Sequence, residues 1–257
     1  MISFLQALIL GIVQGITEWL PISSSGHLVL FQNFFNIQAP LSYDILLHLG
    51  SLVVITLVFW KDIIKTLKAF FTLDFKSEYG KLSLFIILGS IATAIIGFTF
   101  KETFSNLFHN QIAVGLALII TGLLLHISKY TKTKKQLNAK NSILIGLIQG
   151  LALIPGLSRS GSTISVGLLA GIERKKLIRF SFMLVIPSII GAMVFEHGKV
   201  AITDISVLAV TTGLLASIIV GYLCLKWAIS LISKNKFHNF SWYCWGLGII
   251  IILLYLI

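Results

Sequence analysis

The sequence predicts an all-α integral membrane protein forming a single membrane domain over residues 1–257, with six transmembrane helices, two re-entrant helical hairpins and an inverted-topology repeat. Three observations lead there. The chain is 56% hydrophobic and only 11% charged, against roughly 25% charged residues in soluble domains. Charge-free runs at 45–60, 82–100, 103–128, 180–195, 205–225 and 237–257 come close to the ~17–25 residues that a membrane helix needs. A 16-residue segment near the start also recurs after a shift of 135 residues, which divides the chain into halves of about 1–135 and 136–257.

The six apolar runs supply the six spans, and the basic residues between them orient the bundle. If residues 1–43 and 141–172 do not change sides, the loops 61–81, 129–140, 174–179 and 226–236 share one side and hold 17 of the 20 Lys and Arg. Lys101 and Lys199 fall opposite, and Arg159 completes the count. The positive-inside rule puts the basic side in the cytoplasm and both termini outside. A net charge of +11 would suggest a nucleic-acid partner for a soluble protein; spread over short loops it sets topology instead, and no nucleic acid is expected. The N-terminal "MISFLQALILGIVQG" has neither a basic n-region nor a small-residue cleavage site, so its apolar start is expected to be retained. Cys224 and Cys244 have no metal-ligand spacing and read as small packing residues.

The two segments that do not change sides are the expected hairpins. Residues 141–172 are too short for two spans, and a single crossing would carry Arg174, Lys175 and Lys176 outside. A hairpin that enters from the cytoplasm and breaks at "IPGLSRSGST" resolves both problems. Residues 1–43 form the counterpart, entering from outside and breaking at "LPISSSG", although their length would also allow two ordinary spans. "GIVQGITEWLPISSSG" (11–26) aligns without a gap on "GLIQGLALIPGLSRSG" (146–161), with six identities: Gly11/Gly146, Gln14/Gln149, Gly15/Gly150, Ser23/Ser158, Ser25/Ser160 and Gly26/Gly161. Three spans follow each copy, which inverts one half relative to the other, and such repeats bring their broken segments together near the membrane midplane.

Each break carries one formal charge, Glu18 in the first and Arg159 in the second. An unpaired charge at the bilayer centre costs roughly 2.5–3.5 kcal/mol on insertion scales, so both should pair or line a polar cavity. Gln14 and Glu18 share a helix face one turn apart, ahead of Pro21. Ser23, Ser24, Ser25 and Gly26 then lie where the next helix begins, with hydroxyls and N–H groups that suit an anion. Ser158, Arg159, Ser160, Gly161 and Thr163 repeat the arrangement, and Arg159 adds a planar fork suited to phosphate. Two facing anion sites in a membrane point to a lipid phosphate or diphosphate. Ser23, Ser160, Ser162 and Thr163 suit equally well a structural role, bonding a carbonyl one turn back. His48, His109, His126, His197 and His238 read as structural or interfacial, whereas His27 follows the serine cluster directly. No resident metal site is expected, since no Walker loop, zinc-ligand spacing or aspartate-rich diphosphate motif occurs.

"QGITEWLPISSSGH" and "PGLSRSGST" resemble the two signature regions of the undecaprenyl-diphosphatase family, the BacA type linked to bacitracin resistance. The first fits Glu or Gln, three residues, Glu, then Pro, a serine pair and Gly-His. The second fits Pro-Gly-x-Ser-Arg-Ser-x-x-Thr. The resemblance extends over the whole chain and implies a phosphatase of the bacterial inner membrane that converts undecaprenyl diphosphate to the monophosphate, with its site open to the periplasmic face. It implies a site of Glu18, Ser24, His27, Ser158, Arg159 and Thr163. Glu18, Ser24, His27 and Arg159 would act in catalysis, and Gln14, Ser23, Ser25, Ser158, Ser160 and Thr163 would bind phosphate. Gln14 stands where many members have Glu, which puts a two-carboxylate mechanism in doubt here. Ser24, or a water in its place, would attack phosphorus with Glu18 as base and His27 as acid or second base. A divalent cation, magnesium or calcium, could arrive with the diphosphate, and a homodimer is allowed.

Two other classes share parts of this pattern. A polyprenyl-phosphate flippase would use the same inverted repeat and midplane charges but would need no nucleophile. A phosphatidic-acid-phosphatase type enzyme would need a second His about six residues after the Arg, and position 165 is Ser.

Overall fold

The computed structural model describes residues 2–35, 37, 41–108, 110–196 and 206–256, so His109, His197 and Lys199 lie outside the described residues. The helices are α1 (Phe4–Thr17), α2 (Ser24–Phe34), α3 (Leu41–Phe71), α4 (Glu78–Thr99), α5 (Lys101–Leu107), α6 (Gln111–Ser128), α7 (Ala139–Leu151), α8 (Arg159–Leu169), α9 (Arg174–Met183), α10 (Val185–Glu196), α11 (Val207–Ser233) and α12 (Phe240–Leu256). Among the described residues there is no strand, only an isolated bridge between Lys135 and Ile172.

Six stretches are long and apolar enough to cross a membrane: Tyr43–Phe71, Glu78–Thr99, Gln111–Ser128, Arg174–Val194, Val207–Ser233 and Phe237–Leu256. They correspond to the six expected spans, with shifted ends. Several run into the basic loops, because a helix does not stop at its first lysine and long cationic side chains reach to the membrane surface. The third begins only at Gln111, where Asn110 accepts from the Ala113 N–H at 3.0 Å and caps a new helix after α5. The fourth is interrupted at Leu184, between α9 and α10. Pro187, in the first turn of α10, has no N–H and crowds the carbonyl four residues back. Leu57, Ile95, Leu123, Leu223 and Leu254 are exposed on the outside of the bundle, where a bilayer would cover them.

The long connections meet at one end. Arg179 bridges Asp62 at 2.9 Å and Glu78 at 2.8 Å. Arg174 donates to Thr133 at 3.1 Å and Asn235 at 2.8 Å, and Lys176 donates to Gln136. The four basic loops therefore lie together, as the charge count requires. The starts of α1, α3 and α11 lie together as well, where the Tyr43 hydroxyl donates to the carbonyls of Ala7 and Ala209 at 3.3 and 3.4 Å.

α1, α2, α7 and α8 have 14, 11, 13 and 11 residues. At 1.5 Å per residue each is about 16–21 Å long, short of the ~30 Å hydrocarbon core. α1 runs parallel to α11, with Gly11 against Gly213 and Gly15 against Gly221. α7 runs parallel to α4, with Gly146 against Gly89 and Gly150 against Ile96. A Cβ on Gly11 would fall 2.3 Å from the Gly213 oxygen, and one on Gly146 2.2 Å from the Gly89 oxygen. Small residues let these backbones touch, the usual device of helix packing in membranes. α1 therefore starts at the end opposite the basic loops, and α7 starts at the basic end.

Candidate active site

The two interhelical breaks form the buried centre of the bundle. Trp19, Leu20 and Ile22 from the first pack with Ile164, Leu168, Phe180 and Phe182, and Trp19 meets Phe182 edge-on with ring centroids 6.0 Å apart. The breaks interlock reciprocally. A Cβ on Gly26 would touch Gly156 at 3.3 Å, and one on Gly161 would touch Pro21 at 3.1 Å. Gly156 takes φ +93°, a left-handed turn that glycine adopts without strain, and donates its N–H to Ser23 Oγ at 3.1 Å. Ser160 Oγ donates back to the Leu20 carbonyl at 3.1 Å.

Both helix starts are capped alike. Ser23 Oγ accepts from the Gly26 N–H at 3.3 Å, and Ser158 Oγ accepts from the Gly161 N–H at 3.1 Å. Thr163 Oγ1 lies 2.8 Å from the Arg159 carbonyl and 2.7 Å from Ser181 Oγ. Ser23, Ser158, Ser160 and Thr163, all expected to bind phosphate, are buried; Ser23 and Ser160 tie the breaks to each other, Ser158 caps α8, and Thr163 meets Ser181 of α9. Ser162 is fully buried as well. Ser25, partly exposed, lies 3.3 Å from Ser23 Oγ.

The charged pair sits where the breaks meet. Arg159 Nη2 donates to Glu18 Oε1, and its guanidinium lies 6.0 Å from the Trp19 ring centroid. Its Nη1 is buried and has no hydrogen-bond partner. The other carboxylate oxygen, Oε2, accepts from Ser24 Oγ at 2.7 Å and Gln14 Nε2 at 3.2 Å. Gln14, fully buried, also donates to Ser51 Oγ at 3.3 Å, so it orients Glu18 from inside. Ser24 and Arg159 are partly exposed, whereas Glu18 is buried.

His27 stands apart from the carboxylate. Its Nδ1 lies 2.8 Å from the Ser23 carbonyl, which can only accept, so Nδ1 carries the hydrogen. Nε2 then accepts from the Tyr243 hydroxyl at 2.7 Å. Nearest to Glu18 is instead His48, with Nε2 3.6 Å from Oε2. Its structural or interfacial reading missed this position. Asp44, His48 and Ser51 fall three and four apart in an apolar helix, and that polar stripe was the available signal. Tyr243 carried no signal, because nothing local ties it to His27. Cys244 is buried, and its Sγ lies 3.3 Å from the Pro21 carbonyl.

Among the described residues no three His, Cys, Asp or Glu side chains converge as metal ligands do. Glu18 accepts from Arg159, Ser24 and Gln14. Chemically, the arrangement supplies a hydroxyl aimed at a carboxylate base, a guanidinium beside it, and two helix starts whose first N–H groups have no acceptor within their own helix.

From residue 7 to residue 250 the chain matches the model of the family described as bacitracin resistance protein BacA. It is 39% identical over 267 residues to the undecaprenyl-diphosphatase of Methanobrevibacter smithii, covering 97% of this chain and 96% of that protein. Identity is also 39% over 257 residues to the undecaprenyl-diphosphatase of Halothermothrix orenii, covering 97% of each. It is 40% over 259 residues to that of Carboxydothermus hydrogenoformans, covering 97% and 96%.

Proposed function

The chain belongs to the bacitracin resistance protein BacA family, and from that premise we propose that it is a membrane phosphatase which hydrolyses undecaprenyl diphosphate to undecaprenyl phosphate and inorganic phosphate, recycling the lipid carrier of cell-wall synthesis. The contact that carries this reading is Ser24 Oγ on Glu18 Oε2 at 2.7 Å. A hydroxyl donating to a carboxylate is the arrangement of an activated nucleophile, and a lipid flippase would have no task for it.

The terminal phosphate enters against Ser24 and Arg159. The guanidinium and the first-turn N–H groups of α2 and α8 take the charge that develops on its oxygens. Ser24, or a water in its place, attacks phosphorus while Glu18 takes the proton, and His27 serves as acid on the leaving phosphate once Nε2, which here accepts from Tyr243, carries a proton. Ser25 contacts the phosphate; Ser23, Ser158, Ser160 and Thr163 act indirectly, by shaping the two helix starts. A divalent cation, magnesium or calcium, travels with the diphosphate as part of the substrate.

The protein sits in the bacterial inner membrane with α1–α2 and α7–α8 as re-entrant hairpins of an inverted repeat. Their support is geometric: α1 and α7 start at opposite ends of the bundle, beside α11 and α4, and the breaks interlock reciprocally. With the basic loops in the cytoplasm, the site opens to the periplasmic face. Purified protein given undecaprenyl diphosphate should release inorganic phosphate and leave the monophosphate; absence of phosphate release from folded protein would refute the hydrolase reading.

A further inference from the structure

Glu18 is touched by four side chains, and they differ in what they can do with a proton. Arg159 is a donor only and already holds Oε1. Gln14 is an amide and does not titrate. Ser24 is the group from which a proton must be taken. His48 remains, with Nε2 3.6 Å from Oε2, an ion-pair distance that is long for a hydrogen bond but of the kind that tightens when substrate binds.

The ring is oriented for this. Nδ1 lies 2.8 Å from the Asp44 carbonyl, which can only accept, so Nδ1 carries a hydrogen and Nε2 faces the carboxylate. The side chain of His48 is 33% exposed against 6% for Glu18, so the imidazole is the more accessible of the two groups. The other charged group on its helix nearby, Asp44, has both oxygens held by Gln32 at 3.0 and 3.2 Å. Arg159 of α8 lies behind Glu18. Arg179 of α9 and Glu78 of α4 meet α3 near its other end, at Asp62. The charged residue of α11, Lys226, is bonded to Tyr222, and α10 has no charged residue before Glu196.

We infer that His48 is the second proton acceptor of this site, receiving from Glu18 the proton that the nucleophile gives up. The inference rests on the phosphatase reading. As the oxygen of Ser24, or of a water in its place, bonds to phosphorus, its proton passes to Glu18 Oε2. The bridging phosphorus–oxygen bond breaks and the leaving phosphate takes its electron pair. Glu18 hands the proton to His48 Nε2, which releases it to the medium, and the carboxylate is restored; where Ser24 is the nucleophile, Glu18 then takes a proton from a water that attacks the phosphoseryl phosphorus, and the Ser24 oxygen leaves with its electron pair and takes that proton, which frees inorganic phosphate.

The test uses the purified full chain and phosphate release from undecaprenyl diphosphate. His48→Gln keeps a donor for the Asp44 carbonyl but cannot take a proton, so kcat should fall about a hundredfold or more with KM changed far less. His48→Ala should fall as far and recover at least about tenfold with added imidazole, which can occupy the exposed space. The double variant Gln14→Glu/His48→Gln should also recover at least about tenfold over His48→Gln, because two adjacent carboxylates share one proton and the second replaces the lost acceptor. Recovery by either route supports the relay. Recovery by neither, or His48→Gln turning over within about threefold of the unmodified protein, overturns it. If the unmodified protein releases no phosphate, the phosphatase reading falls first and this inference with it.

Discussion

Arg159 Nη2 donates to Glu18 Oε1 across 141 positions of sequence, joining the single charges of the two broken segments. A buried pair of this kind is a weak source of net stability, since desolvation offsets most of the attraction. Its presence in so apolar a bundle points to chemistry.

Arg159→Lys is expected to lose at least about a hundredfold in turnover while the protein still folds and inserts. Lysine keeps the charge but gives up the planar fork, of which one nitrogen holds Glu18 and the other, Nη1, is buried without a partner. Phosphate release measured beside the thermal unfolding of the detergent-solubilised protein decides it. Turnover near that of the unmodified protein would show that a point charge suffices.

Glu18→Gln should lower turnover by about 10²–10⁴-fold, the usual contribution of a positioned base, and Gln14→Glu should change it less. Gln preserves shape but cannot accept the proton of Ser24, whereas position 14 already works as a buried amide that only orients Glu18. Normal hydrolysis by Glu18→Gln would remove the carboxylate from the base's role.

Access separates hydrolysis from transport. In a background where Cys224 and Cys244 are replaced, Ser25→Cys should react with a membrane-impermeant thiol reagent from outside, and Ser162→Cys should not react from the cytoplasm. Ser25 is partly exposed and Ser162 fully buried. Reaction of both from both sides would favour alternating access, and reaction of Ser25→Cys from the cytoplasm alone would invert the proposed topology.

The backbone crossings predict a stability difference. Gly11→Ala and Gly146→Ala should each destabilise by roughly 1–3 kcal/mol, the usual effect of overpacking, because the new methyl group meets a carbonyl oxygen at 2.3 or 2.2 Å. Gly191→Ala, with nothing within 4 Å of the added carbon, should cost nothing. Unfolding temperatures of the three variants in detergent check this, and equal values would discount the crossings.

Much of this architecture was legible in the linear chain. Six spans follow from charge-free length, because the bilayer fixes how many apolar residues a helix must carry. The pairing of the two breaks follows from the repeat and from the cost of leaving Glu18 or Arg159 alone in an apolar core. Ser24 and His27 were legible as members of a polar cluster, but not their partners. Periodicity reports which face of one helix is buried; a hydrogen bond depends on where a second helix arrives. Only the crossing of α8 over the first break turns Ser160 to the Leu20 carbonyl, and only α12 brings Tyr243 to His27. The approach of α3 to α1 likewise sets His48 beside Glu18, a relationship between residues 30 positions apart that neither segment encodes by itself.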